Sequence, residues 1–119
     1  MPHLPPAGSG TIALATPEPV ALGDTITFSV TGVEDLSNPR IWVAATQDGV
    51  LVYGEGASPN EPLKLGGGSS DWVTKGGPAD CTVRLYYILN KSGKAEWKGG
   101  GADQGGTVDL GSSSFHAEG

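Results

Sequence analysis

At 119 residues the chain has the length of one domain, with room for a single core but not for two. Twenty glycines and nine prolines argue for many short strands joined by tight turns and make helix a poor bet, while a lone cysteine excludes an internal disulfide. Thirteen acidic against seven basic residues, a formal net charge of −6, repel phosphate, so neither nucleic acid nor anionic lipid is expected as a partner, and no apolar run approaches membrane-spanning length, so membrane insertion is not expected.

Residues 1–10, with three prolines and two glycines, cannot build regular structure and read as an N-terminal arm ahead of a domain spanning 11–119. Such an arm is either disordered or docked on a partner. Pro2, His3, Leu4, Pro5 and Pro6 are its candidate partner-binding residues, because a stiff segment loses little entropy on binding and offers unpaired backbone groups to a neighbouring subunit. The same stretch has neither a basic n-region nor an apolar h-region, so a chain made in the cytoplasm without a signal peptide is expected.

Residues 11–16 form a short strand stopped by Pro17 and Pro19, and residues 20–22 resume it, as a first strand that breaks and changes sheets. Residues 25–31 alternate cleanly, with Ile26, Phe28 and Val30 inward and Thr25, Thr27, Ser29 and Thr31 outward. Residues 40–47 are the next strand, with Trp42 and Ala44 on one face and Ile41, Val43 and Ala45 on the other; Trp42 is expected in the core. Asp48-Gly49 is a type I′ hairpin signal, so residues 50–53 pair back antiparallel. Residues 63–65 are a short strand, and residues 66–70 a flexible bend before residues 71–74. The longest strand-like run is residues 80–89, with Cys81, Val83, Leu85, Tyr87 and Leu89 on the core face and Thr82, Arg84, Tyr86 and Ile88 on a partly covered outer face, the mark of a central strand. Residues 95–98 add a short strand around Trp97, residues 99–106 are loose, and residues 107–116 close the sheet, with a bulge or kink over residues 111–114.

Charge is uneven: residues 1–71 hold eight acids against Arg40 and Lys64, while the remainder is balanced. Lys91, Lys94 and Lys98 read as a solvated turn rather than an anion site. A phosphate loop fails twice, because Ala95 follows Gly93-Lys94 and Ile88 stands where the first glycine belongs. No Gly-x-Ser-x-Gly elbow is present, and Asp48, Glu55 and Glu61 are acids expected at turns. His3 and His116 sit near opposite ends, which makes a two-histidine metal site a poor alternative to two ordinary imidazoles. Cys81, on a core face, reads as a small buried apolar residue. The expectation is therefore a protein without catalysis, metal or cofactor, whose candidate exposed aromatic contacts are Trp72 and Trp97.

The fold class expected is all-β, a sandwich of seven to nine short antiparallel strands without a disulfide. Phe28, Trp42 and Cys81 stand where immunoglobulin-like domains place the first half-cystine, the core tryptophan and the second half-cystine, so the chain resembles such a domain with packing in place of the covalent link. Ala79 occupies the place of the usual tyrosine corner, a departure from antibody-type domains. Beyond the fold, the chain resembles the small immunoglobulin-like virion proteins of tailed phages of actinobacteria. The likeness lies in residues 49–55 (Gly-Val-Leu-Val-Tyr-Gly-Glu), 66–73 (Gly-Gly-Gly-Ser-Ser-Asp-Trp-Val), 76–81 (Gly-Gly-Pro-Ala-Asp-Cys), 85–87 (Leu-Tyr-Tyr) and 113–116 (Ser-Ser-Phe-His). That resemblance implies a structural subunit on the virion surface, a capsid decoration or accessory protein whose partners are phage capsid or tail proteins, with self-association on the particle. A minor tail protein and a carbohydrate-binding module for host envelope glycans are the alternatives.

Overall fold

The computed structural model describes residues 4–90 and 104–119. The chain is mostly β. Among the described residues it forms β1 (Thr11–Leu14), β2 (Val20–Ala21), β3 (Thr25–Ile26), β4 (Phe28–Thr31), β5 (Arg40–Gln47), β6 (Val50–Ala57), β7 (Leu63–Lys64), α1 (Asp71–Lys75), β8 (Ala79–Asn90) and β9 (Gln104–Glu118). Five strands make one sheet in the order β2-β9-β8-β5-β6, antiparallel throughout except for the parallel β2–β9 pair. Two antiparallel pairs, β1–β4 and β3–β7, complete the strands. The strand expected around Trp97 and the lysine-rich turn at Lys91, Lys94 and Lys98 lie outside the described residues.

Period-two patterning explains why β8 is central. Cys81, Val83 and Leu85 are almost fully buried while Thr82 is exposed, and the strand pairs with β5 on one side and β9 on the other. Its inward residues share one hydrophobic cluster with Ile41, Val43 and Leu110 of the same sheet and with Ile12, Ile26, Phe28 and Leu63 of the small pairs. Phe28 packs on Phe115, ring centroids 6.1 Å apart, and Phe115 stands opposite Cys81 across β8 and β9. Aromatic packing thus stands beside the lone cysteine. Cys81 is free and buried.

The first strand breaks as its prolines dictate: β1 pairs with β4, and after Pro17 and Pro19 the chain resumes as β2 in the other sheet. The run expected as one strand over 25–31 divides at Thr27. That residue's amide donates to Thr16 Oγ1 (2.9 Å) and its carbonyl accepts from Ala15 N (2.9 Å), so β3 is left to pair with β7 and β4 with β1. The β5–β6 hairpin turns through Asp48 (φ 52°) and Gly49 (φ 78°), both positive as a type I′ turn requires. β6 runs on to Ala57 rather than ending at Tyr53, and a bulge opposite Ala45 and Thr46 turns both Val52 and Tyr53 inward. On β9 the register shift passes over Leu110, placing the bulge one residue before the stretch where a kink was expected.

The departure from an all-strand expectation is α1. Ser70 caps it, its Oγ accepting from Val73 N (3.4 Å) and donating to Gly66 O (3.2 Å), with Asp71 in the first turn, Lys75 in the last and Gly76 at the C-cap. Five residues are too few to hold a helix in water. Burial of Trp72 holds this one: the residue is fully buried, its Nε1 donates to Gly77 O (2.8 Å), and its ring lies 6.1 Å from that of Tyr53. Gly66 makes room, with φ of 73° and a position where a Cβ would run into Leu22 Cδ1 and fall 3.1 Å from Trp72 Cε3.

Candidate functional site

Two tryptophans have exchanged the places expected of them. Trp72, a candidate exposed contact in the sequence, is at the centre of the core, whereas Trp42, expected inside, is 40% exposed. The reason is the pleat of β5: Ile41, Val43 and Ala45 are all fully buried, and period two then sends Trp42 to the opposite face. Trp97 lies outside the described residues.

Registers across the five-stranded sheet show what surrounds Trp42. One row reads Gly56, Trp42, Arg84 and Ser112; the next reads Gly54, Ala44, Thr82 and Ser114. The indole leans across the glycines of β6. A Cβ on Gly54 would fall 2.6 Å from Trp42 Cζ2, and one on Gly56 would fall 3.6 Å from Cε3. With no side chain there, the ring settles against the β6 backbone and leaves its other side to solvent. Small residues on this second row keep the ground low on one side of the ring, while the row on its other side carries Arg40, Tyr86 and Asp109.

On the far side of Trp42, Arg84 donates from Nε to Asp109 Oδ1 and from Nη2 to Thr107 Oγ1 (3.1 Å), and its guanidinium carbon lies 4.3 Å from the centre of the Tyr86 ring. Beside this pair an open depression of about 490 Å³ is lined by Thr82, Arg84, Asp109 and Ser112, among others. A second depression of about 410 Å³ lies at the hairpin end between Gln47, Asp48, Asp80 and His116, where His116 Nδ1 stands 3.2 Å from Asp80 Oδ1. Among the described residues no group of three metal-ligating side chains converges.

Of the arm's candidate residues, Pro2 and His3 lie outside the described residues. Leu4 packs against the core, Pro5 O accepts from Tyr87 Oη (2.7 Å), and Pro6 O accepts from Ser9 N (3.2 Å). Farther along, Gly8 N and Gly10 N donate to Asp109 O (2.9 Å) and Leu110 O (3.0 Å). Residues 4–10 are therefore held on the domain itself. Backbone groups expected to await a neighbouring subunit already have partners, because the bulge at Leu110 leaves β9 carbonyls for them.

Burial also sets the chemistry of the core's ionisable groups. The Cys81 thiol is pushed up to about 11, chiefly by burial with the Asp80 charge adding to it, so at neutral pH it is a protonated apolar group. Tyr53 is raised by burial and then by the Glu55 carboxylate, whose Oε1 accepts from its hydroxyl (3.1 Å). Tyr87 is raised by burial. What the outer face of the sheet offers is an aromatic plane with polar groups beside it. Gly54 and Gly56, spaced by two on a strand, were the sequence signal for it: they mark a track where something lies close to the backbone.

Searches of protein-family models, of curated proteins and of solved structures find no match to this chain.

Proposed function

We propose that the chain is a non-enzymatic, immunoglobulin-like subunit carried on the outside of a phage head, working by adhesion through its surfaces. The strand order supports the immunoglobulin-like sandwich: the β5–β6 hairpin shares a sheet with β8 and β9, and the first strand divides between sheets. Two features depart from antibody domains, since the core tryptophan comes from α1 and no tyrosine precedes Cys81 by two residues. The segments that resemble phage virion proteins coincide with the hairpin, the capped helix turn and the buried stretches of β8 and β9. They account for a shared framework.

The observation that carries the binding role is the open sheet face with Trp42 exposed on it. A separate apolar spot for attachment to the head lies at the hairpin, where Val50 and Leu51 are more than half exposed. Immunogold labelling of purified particles with an antibody to the chain tests the role. Label spread over heads supports it; label confined to tails moves the domain to the tail, and particles without label remove the virion reading.

A further inference from the structure

We infer that the Trp42 face binds a neutral oligosaccharide, with the indole as stacking plane and the Arg84–Asp109 pair as the hydroxyl-recognising group. The inference rests on the reading of the chain as a binding subunit and names the ligand class of its outer sheet face.

Three observations carry it. The indole leans over Gly54 and Gly56, so its position is set by the backbone of β6 and one side remains open. An aromatic face is electron-rich, and the C–H bonds on one side of a pyranose ring are its complement. Next, Arg84 and Asp109 are already oriented by each other, by Thr107 and by the Tyr86 ring, which presents donors and acceptors side by side without a net charge. Paired sugar hydroxyls need both kinds of group, and a pair that is neutral overall selects a neutral ligand. Lastly, Arg84 stands directly opposite Trp42 across β5 and β8, and with Thr82, Ser112 and Asp109 it lines the depression beside the indole.

Dimensions separate a sugar from a protein partner. Trp42 and Asp109 are two strand spacings and two residues of strand apart, roughly 12 Å, farther than one sugar ring reaches, so the ligand has at least two rings. At 40% exposure the indole offers about 100 Å². A stable protein interface covers about 800 Å² on each side around an apolar centre. Among the described residues the other large exposed hydrophobics are Val50 and Leu51 at the hairpin and Val73 on α1; Leu51, paired with Thr46, stands two rows along the sheet from Trp42, so none of them adjoins the indole. Its affinity for a single chain is then weak, with a dissociation constant on the order of a millimolar, and many copies on one particle raise it by avidity.

The test is titration of the isotopically labelled protein with cellohexaose, maltohexaose, chitohexaose, mannohexaose and, as the anionic comparison, a galacturonic acid oligomer, read at the indole N–H signals by NMR. A saturable shift of the Trp42 indole signal and of the backbone amide signals around Arg84 with a neutral hexasaccharide, the amide shifts lost in Trp42→Ala and the affinity weakened at least about fivefold in Gly54→Val, supports the inference. Gly54→Val keeps the indole but lifts it off the strand, and because the ring is exposed it yields without unfolding the domain. Asp109→Asn is expected to weaken binding while leaving the stacking shift in place. No shift with any neutral sugar at tens of millimolar overturns the inference. So does a shift with the galacturonic acid oligomer alone, or one that tracks protein concentration without sugar, which would make the face a contact between copies. Sugar binding by a chain that is missing from particles would retain this inference and remove the virion role; a head-bound chain that ignores every sugar would do the reverse.

Discussion

Replacement of Trp72 is the sharpest check on the fold. Its side chain is fully buried, and burying an indole removes on the order of 200–250 Å² from water, about 5–6 kcal/mol at 25 cal/mol per Å². Alanine keeps a little of that area and the neighbours partly close the space, so Trp72→Ala is expected to cost about 3–5 kcal/mol. The lost Nε1 bond adds little, because Gly77 is exposed and its carbonyl also accepts from Gln47 Nε2 (3.4 Å). Against a total of about 5–15 kcal/mol for a domain, that loss brings the protein close to unfolding, a fall in Tm of roughly 15 °C. Trp72→Phe keeps the contact with Tyr53 and gives up volume and the hydrogen bond, for about 1–2 kcal/mol. Trp42→Ala removes a ring already half in solvent and is expected to cost under about 1 kcal/mol. Urea unfolding followed by far-ultraviolet circular dichroism is the suitable assay, since the substituted residues are themselves fluorophores. Should Trp42→Ala prove more destabilising than both Trp72 variants, the assignment of the core tryptophan is wrong.

Gly66→Ala forces a Cβ into a left-handed residue against Leu22, and a loss of about 2 kcal/mol is expected in the same urea titration; a neutral result would refute the close approach. Removing residues 1–10 strips the bonds from Tyr87 Oη, Gly8 N and Gly10 N along with the Leu4 contact, so stability falls by about 3 kcal/mol, and a truncated domain as stable as the whole would contradict the docking of the arm. For Cys81 the folded thiol stands above its ordinary value of 9.0, so its contribution is fully present below about pH 9 and is lost as pH rises through about 11, about 2–3 kcal/mol in all. Between neutral pH and about pH 10 the wild type is expected to lose more stability than Cys81→Ala, the raised tyrosines Tyr53 and Tyr87 acting equally in both proteins. Equal losses would show that the thiol is not the group responsible.

Local pattern carried far where strands are half buried. The alternation in residues 80–89 and 25–31, the Asp48-Gly49 turn and the prolines after β1 each act through neighbours in the chain, and the strands, the hairpin and the break between β1 and β2 follow from them. The capping signals of α1 were equally local, in Ser70, Asp71, Lys75 and Gly76, but a five-residue helix has too little length to stand on propensity, so strand-rich composition outweighed it. Only the burial of Trp72 against Tyr53 makes the helix form, and that contact joins separate parts of the chain.

The candidate site was half legible for the same reason. Alternation along β5 divides its residues into two faces but carries no label for the inner one, and a tryptophan is a natural core residue. Pairing decided the matter, since burial of Ile41, Val43 and Ala45 outweighs that of one indole and β6 supplies two glycines for the ring to lie on. The arm shows the same division. Its prolines exclude regular structure by themselves, whereas its docking depends on Tyr87, 82 residues from Pro5 in sequence, and on a bulge in β9. Sequence alone determined most of the strands, the Asp48-Gly49 turn and the absence of a disulfide, because those rest on short-range geometry and a cysteine count. Tertiary structure decided which tryptophan is inside, where the helix forms and where the arm lies, because each depends on burial shared between distant segments.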